Sequence, residues 1–320
     1  MAKNLAMAYH NLSVMLDAGV PLLRSLNTIA SGEKPRMQQA FQALADGVSQ
    51  GDPLAETMSK NPRLFKPVDV MLIHAAETSG SLPDLMGLLS KWHESSRRMV
   101  KKLWSGMLFP IAILTIAAFV IPLPGFILGG WNVGAYLFSV LMVLLLFWVP
   151  AGVILLIIYG TPQTGPSRRL LDRIVLRIPL LGRAMYRLAI GRFCWVFHML
   201  SKAGVPMTNS VEMSLSATGN AAVGDMFRPA AERVRAGDTM GRGLSSKLPA
   251  ELVEMWKVGE ETGTLDEVAK RLAQQNTEAA EFLFADFARW FPRFVYWLIA
   301  LYLIYSIFSG YSRIYSVPSF

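Results

Sequence analysis

Charge is scarce in this chain, and the scarcity is local. Lys, Arg, Asp and Glu make up 17% of the 320 residues, against about 25% in an ordinary soluble domain. None occurs from Leu103 to Ser167, and none from Phe294 to Ser312. Cysteine is almost missing. Cys194 stands alone, so no internal disulfide forms, which suits soluble parts in a reducing compartment. Its neighbours Phe193, Trp195 and Phe197 mark it as a small apolar residue. Histidine is limited to His10, His74, His93 and His198, and none has a second His or Cys at metal-ligand spacing. His198 lies beside an apolar helix and reads as a packed or partly exposed side chain. Gly-x-x-x-x-Gly-Lys-Ser/Thr and Gly-x-Ser-x-Gly are both absent, which removes that phosphate-binding loop and the nucleophile elbow. Gly241-Arg242-Gly243 has no strand before it and reads as a flexible turn, not a phosphate cradle. Strand-like alternation of useful length is missing too, so the soluble parts should be all-α. No catalytic residue, metal or cofactor is expected.

What is present is apolar, at 52% of residues. The first uncharged stretch is too long for one membrane span, which needs about 20 residues. Pro122-Leu123-Pro124-Gly125 and Gly129-Gly130-Trp131-Asn132 are breakers that divide it into a hairpin. The expectation is an all-α membrane protein with spans at 103–128, 135–160 and 289–311 and an external turn at 129–134. Trp131, Tyr136, Trp148, Tyr159, Trp290 and Tyr311 are the candidate interface residues. The core of each span holds no ionisable group. That argues against an ion or proton pathway and against a transporter site at the bilayer midplane.

The charge balance is 31 basic against 23 acidic residues. Many of the positive residues flank the apolar runs: Arg97, Arg98, Lys101 and Lys102, then Arg168, Arg169 and Arg173, then Arg289 and Arg293. This is the positive-inside pattern, and it suits an anionic leaflet rather than a nucleic acid. It predicts two cytoplasmic domains, 1–102 and 161–288, and a short external tail, 312–320. No apolar run precedes Pro21, so the first span should act as its own insertion signal.

The two predicted cytoplasmic segments repeat each other. Ala18-Gly19-Val20-Pro21 recurs as Ala203-Gly204-Val205-Pro206, and Gly51-Asp52 as Gly237-Asp238. Glu77-Thr78-Ser79-Gly80-Ser81-Leu82 recurs as Glu260-Glu261-Thr262-Gly263-Thr264-Leu265, and Pro110 is matched by Pro292. The landmarks keep their order and spacing to within a few residues, which marks a duplication. Gly19 and Gly204 read as helix ends, with Pro21 and Pro206 in the first turn of the next helix. Ser81 with Asp84 and Thr264 with Glu267 have capping-box spacing, the first with Asp in place of Glu. From each cap a long helix can run into span one or span three. Glu77, Glu260 and Glu261 precede Gly80 and Gly263 by a turn or less. A carboxylate near a helix C-terminus is unfavourable, so it is either solvated or compensated by an Arg from a neighbouring helix, a cation or a partner protein.

The doubled Ala-Gly-Val-Pro and Glu-x-Ser/Thr-Gly-x-Leu motifs, in the order module–span–span–module–span, resemble the GspF/PilC family. These are inner-membrane platform proteins of type II secretion and type IV pilus machines. The resemblance covers about residues 5–310 and implies a short, type IVb-like member. It implies about six helices in each cytoplasmic helical-bundle domain and self-association into a dimer or higher oligomer. It also implies a cytoplasmic assembly ATPase, pilin or pseudopilin subunits and other inner-membrane assembly proteins as partners, with no catalysis by the chain itself. Gly19, Pro21, Glu77, Gly80, Gly204, Pro206, Glu260, Glu261 and Gly263 are its candidate structural or partner-binding residues.

Overall fold

The computed structural model describes residues 2–128, 132–160 and 166–315, and among these every regular element is an α-helix. The first module is built from α1 (Ala2–Asp17), α2 (Leu22–Gly32), α3 (Pro35–Ser49), α4 (Leu54–Ser59), α5 (Pro67–Ser79) and the start of α6 (Leu82–Val120). Then come α7 (Leu123–Leu128), α8 (Val133–Gly160) and α9 (Pro166–Arg177). The second module is built from α10 (Leu181–Lys202), α11 (Met207–Ala217), α12 (Ala221–Arg235), α13 (Met240–Gly243), α14 (Ala250–Thr262) and the start of α15 (Leu265–Tyr315). Six helices therefore answer six. α2 and α11 both have 11 residues, α3 and α12 both 15, and α5 and α14 both 13.

The Ala-Gly-Val-Pro turns explain why the chain reverses where it does. Gly19 and Gly204 take φ values of 79° and 74°, a left-handed geometry that side chains with a Cβ resist. The next amide then folds back. Val20 N–H donates to Met15 O at 2.9 Å, and Val205 N–H to Leu200 O at 3.0 Å. Pro21 and Pro206 stand at the N-cap, one residue before the expected first turn, with φ of −56° and −52°. That position makes no intrahelical use of an N–H, so the missing donor costs nothing.

By compactness the chain divides into two units. One holds Met1–Val100 and Asp172–Phe282, and the other holds Lys101–Leu171 and Leu283–Phe320. Both modules thus fall in one unit. Their cores are continuous: Val196, Met199 and Leu200 of α10, Ala203 just after it and Ala217 of α11 are buried with Leu12, Leu26, Phe41 and Leu72 of the first module. The sequence patterns marked these α10 residues as apolar without saying that their partners lie in the other repeat. The second core adds an aromatic cluster to its aliphatic residues. Phe193 stacks on Phe227 at 4.0 Å between ring centroids, and Phe197 meets Trp256 edge-on at 5.0 Å. Trp256 is fully buried.

In the second unit α6 breaks after Val120, at Ile121 and Pro122. α8 is capped by Asn132, whose Oδ1 accepts from Ala135 N–H at 3.1 Å. Tyr136 OH donates to Phe119 O at 2.9 Å. Gly129, Gly130 and Trp131 of the expected turn, and 316–320 of the expected tail, lie outside the described residues. Residues 312–315 continue α15. Side chains along parts of α6, α8 and α15 also lie outside the description. Among the described residues, no helix is long and apolar enough to cross a membrane. The fold accordingly establishes the helical modules, and the three expected spans are not established by it. The described part of this unit nevertheless exposes large apolar side chains, among them Phe138, Trp297 and Phe308, the last two more than 70% exposed.

The shared core makes a direct prediction. Leu200→Ala should cost about 2–5 kcal/mol, the range for a buried leucine. Residue-level hydrogen exchange should show faster opening in α1 and α2 as well as in the second module. Acceleration confined to the second module would contradict a shared core.

Candidate functional site

Of the residues singled out by the repeat, Glu77 and Gly80 lie at the end of α5, and Glu260, Glu261 and Gly263 at the end of α14. Gly80 and Gly263 cap these helices with φ of 72° and 71°. Their amides donate to Ala76 O and Gly259 O. The following amides, of Ser81 and Thr264, donate to the same two carbonyls at 3.1 and 2.9 Å. The hydroxyl of Ser79 meets that of Ser81 at 2.7 Å, and Thr262 meets Thr264 at 2.8 Å. Two different pairs of hydroxyl residues thus form one turn.

One turn earlier, each module carries a carboxylate latch. Glu77 Oε1 accepts from Leu54 N–H at 2.6 Å, and Oε2 from Ala55 N–H at 3.0 Å. In the second module Glu260 Oε1 accepts from Met240 N–H at 2.5 Å, and Oε2 from Gly241 N–H at 2.7 Å. Leu54 and Met240 are the first residues of α4 and α13. The amides at a helix N-terminus have no partner within the helix, and the helix dipole makes them favour a negative charge. A bidentate carboxylate satisfies two of them with charge-assisted bonds. Each glutamate sits unfavourably at the end of its own helix and is compensated by the start of another. The compensation comes from backbone amides, rather than from the Arg, cation or partner protein that the sequence suggests. Glu260 is half-buried in this role, whereas Glu261 is exposed, so Glu260 is the counterpart of Glu77.

Gly241-Arg242-Gly243 is not a flexible turn. These residues form α13, and both glycines are buried. A Cβ on Gly241 would lie 2.8 Å from Glu260 Oε2, so the glycine keeps room for the latch.

A second tie was not apparent from the sequence. Ser13 Oγ of α1 donates to Pro83 O of α6 at 2.8 Å. His198 Nδ1 of α10 meets Asp266 O of α15 at 2.9 Å. Ser13 and His198 stand at the same distance before Ala-Gly-Val-Pro, which is the signal that aligning the repeats position by position offers. His198 is buried, and burial lowers its pKa, partly offset by the Asp266 carbonyl. The first module also contains a sealed polar pair. His93 Nε2 lies 3.0 Å from Asp69 Oδ1, with Tyr9 packed on the His93 ring at 5.4 Å. Burial, and then Asp69, raises the Tyr9 pKa well above its ordinary value. At the corresponding places the second module has Cys194, Asn276 and Leu252. The Cys194 thiol is fully buried and held protonated by that burial.

These groups tie helices together. No cluster of three metal-ligating side chains exists among the described residues. A hollow of about 190 Å³ beside Arg187 and Glu251 is smaller than an ordinary ligand pocket of about 300 Å³ or more. Its Arg187 Nη1 is already bonded to Asn276 Oδ1 at 3.0 Å. The arrangement defines a duplicated helical scaffold, latched alike in both copies.

Comparison with known proteins places this scaffold. The profile of "Type II secretion system (T2SS), protein F" matches residues 8–129 and 193–310. The chain belongs to that family, the GspF/PilC family of the sequence reading. It is 26% identical over 304 residues to the type IV pilus assembly protein PilC of Pseudomonas aeruginosa, covering 87% of this chain and 80% of that protein. It is 27% identical over 295 residues to the PilC of Thermus thermophilus, covering 85% and 72%. It is 24% identical over 311 residues to the type II secretion system protein F of Vibrio cholerae, covering 87% and 73%.

Two predictions test the ties. Glu77→Ala and Glu260→Ala should each cost about 1–3 kcal/mol, the range for a lost charged acceptor. Glu261→Ala should stay within about 0.5 kcal/mol. Thermal and denaturant melts of the detergent-purified chain check all three, and equal losses at Glu260 and Glu261 would contradict the latch. The lowered pKa of His198 means that the unfolded chain takes up its proton first. Its contribution is therefore complete above the unfolded value of about 6.5 and declines as pH falls toward the folded value. His198→Asn should make the loss of melting temperature between pH 7.5 and 5.5 smaller than in the parent. A larger loss would reverse the sign.

Proposed function

We propose that this chain is an inner-membrane platform protein of a type IV pilus or type II secretion machine. Segments of α6, α8 and α15 cross the bacterial cytoplasmic membrane. Both modules face the cytoplasm, and the C-terminus faces the periplasm. The chain self-associates, meets a cytoplasmic assembly ATPase and other inner-membrane assembly proteins, and couples that motor to extraction of pilin or pseudopilin from the bilayer. It performs no catalysis of its own and uses no cofactor or nucleic acid.

The observation that carries this reading is the family match over both copies of the module. The exposed apolar side chains of α8 and α15 support the bilayer part. Burying such surface in acyl chains recovers about 25 cal/mol per Å² that water would forfeit. The latches support the mechanical part, because they stiffen the modules at the points from which α6 and α15 depart. A push on either module then reaches the apolar segments through a helix rather than a loop.

The proposal predicts that reporters fused within residues 1–100 and within 166–288 lie on the same, cytoplasmic side of the membrane. Deleting the gene should abolish fibres or secretion, and the purified chain should bind its cognate ATPase. Modules on opposite sides, or intact fibres after deletion together with no ATPase binding, would overturn it.

A further inference from the structure

α9 joins the apolar hairpin to the second module, and its two sides differ sharply. Inward, Asp172 is buried and its Oδ2 accepts from Ala221 N–H at 2.8 Å. Outward, Leu170 and Ile174, with Ile178 just past the end of the helix, come at every fourth position, and all three are exposed, Leu170 by 61% and Ile174 by 52%. Arg173 and Arg177 recur at the same interval in the adjoining row. Arg173 and Arg177 are exposed, and among the described residues neither has an acidic partner within ion-pair distance. The only acid of this helix is the one turned inward.

The mount of this helix is tight. Leu180, just after α9, has a φ of 61°, the only positive value outside glycine among the described residues. Gly182 packs so closely that a Cβ there would lie 2.1 Å from Leu176 O. Such strain persists only where the surroundings over-determine it. The outward face of α9 is therefore held in a fixed direction relative to α10.

We propose that the outward face of α9 is a lipid-docking surface for the anionic inner leaflet. Leu170, Ile174 and Ile178 enter the boundary between headgroups and acyl chains, and Arg173 and Arg177 meet lipid phosphates. The combination of a short apolar row beside a cationic row is what an interfacial helix requires, and basic residues next to a span favour acidic lipids. Charge complementarity selects lipid over a second copy of the chain, whose matching face would be equally basic. The tether agrees. Only five residues separate Gly160, the end of α8, from Pro166, and at about 3.5 Å per residue they cannot carry α9 far from that end. This inference rests on reading α8 as a membrane span.

The test uses the full chain, in which the buried Cys194 does not compete for labelling. Ile174→Cys, Glu261→Cys and Leu145→Cys variants are labelled with an environment-sensitive fluorophore. They are reconstituted into vesicles of phosphatidylethanolamine and phosphatidylglycerol at a ratio of about 7:3. A quencher attached high on the lipid acyl chain should quench position 174 several-fold more strongly than aqueous iodide does, with position 261 showing the reverse. In pure phosphatidylcholine the lipid quenching at 174 should fall, and Arg173→Gln with Arg177→Gln should reduce it in the acidic vesicles. Iodide access at 174 equal to that at 261 would overturn the proposal. So would shielding from both quenchers, which means that protein covers the face, or lipid quenching indifferent to acidic lipid. Position 145 separates the two readings. Lipid quenching at 145 without quenching at 174 defeats the docking surface alone, and none at 145 defeats the span beneath it.

Discussion

Each module closes on a carboxylate that accepts two hydrogen bonds from the start of a short helix. The glutamate comes from the last turn of α5 or α14, and the amides come from the first turn of α4 or α13. Geometry makes this constraint exacting. Four to six residues form a helix too short to be stable alone, so α4 and α13 depend on the acceptor that holds their first turns. The same glutamate fixes the end of its own helix one turn before the left-handed glycine. The turn into α6 or α15 follows at that glycine.

Around that constraint the two copies have diverged. The first–last helix tie is a serine in one copy and a histidine in the other. The aliphatic core carries Tyr9, Phe41 and Phe65 in one copy, and in the other a stacked Phe193–Phe227 pair with Trp256 tilted against it. The buried Asp69–His93 pair of the first module has no ionic counterpart in the second, where Asn276 bonds to Leu272 O and Arg187. Side-chain chemistry has changed while backbone turns have been kept. This fits a scaffold, whose task depends on where helices point, better than a catalyst, whose task depends on particular reacting groups.

The landmarks legible in the sequence were those made by backbone geometry. Glycine followed by proline, and Glu-x-Ser/Thr-Gly-x-Leu, reveal themselves because few residues adopt a left-handed turn or follow it. The family was legible for the same reason, and the all-helical character from the lack of strand-like alternation. The partner of Glu77 was not. Backbone amides have no letter in a sequence, and Leu54 and Ala55 give no hint that they donate to a side chain more than twenty positions away. Nor was the shared core, because an apolar row on α10 looks alike whether it faces its own module or the other. Gly241 and Gly243 were misread as a loose turn, since glycine marks close approach as readily as freedom. Membrane crossing remains a statement of charge patterning, from Leu103 to Ser167 and from Phe294 to Ser312, that the exposed apolar side chains support.

A tandem scaffold of this kind can transmit force without chemistry, provided that the joint between module and departing helix is stiff. The latch holds the helix that precedes that joint, and its amides report on it directly. Residue-level hydrogen exchange of the full chain at Leu54, Ala55, Met240 and Gly241 is the sharpest test. Slow exchange at all four is predicted, with Glu77→Gln releasing only the first pair and Glu260→Gln only the second. Rapid exchange at these amides in the unaltered chain would contradict the account.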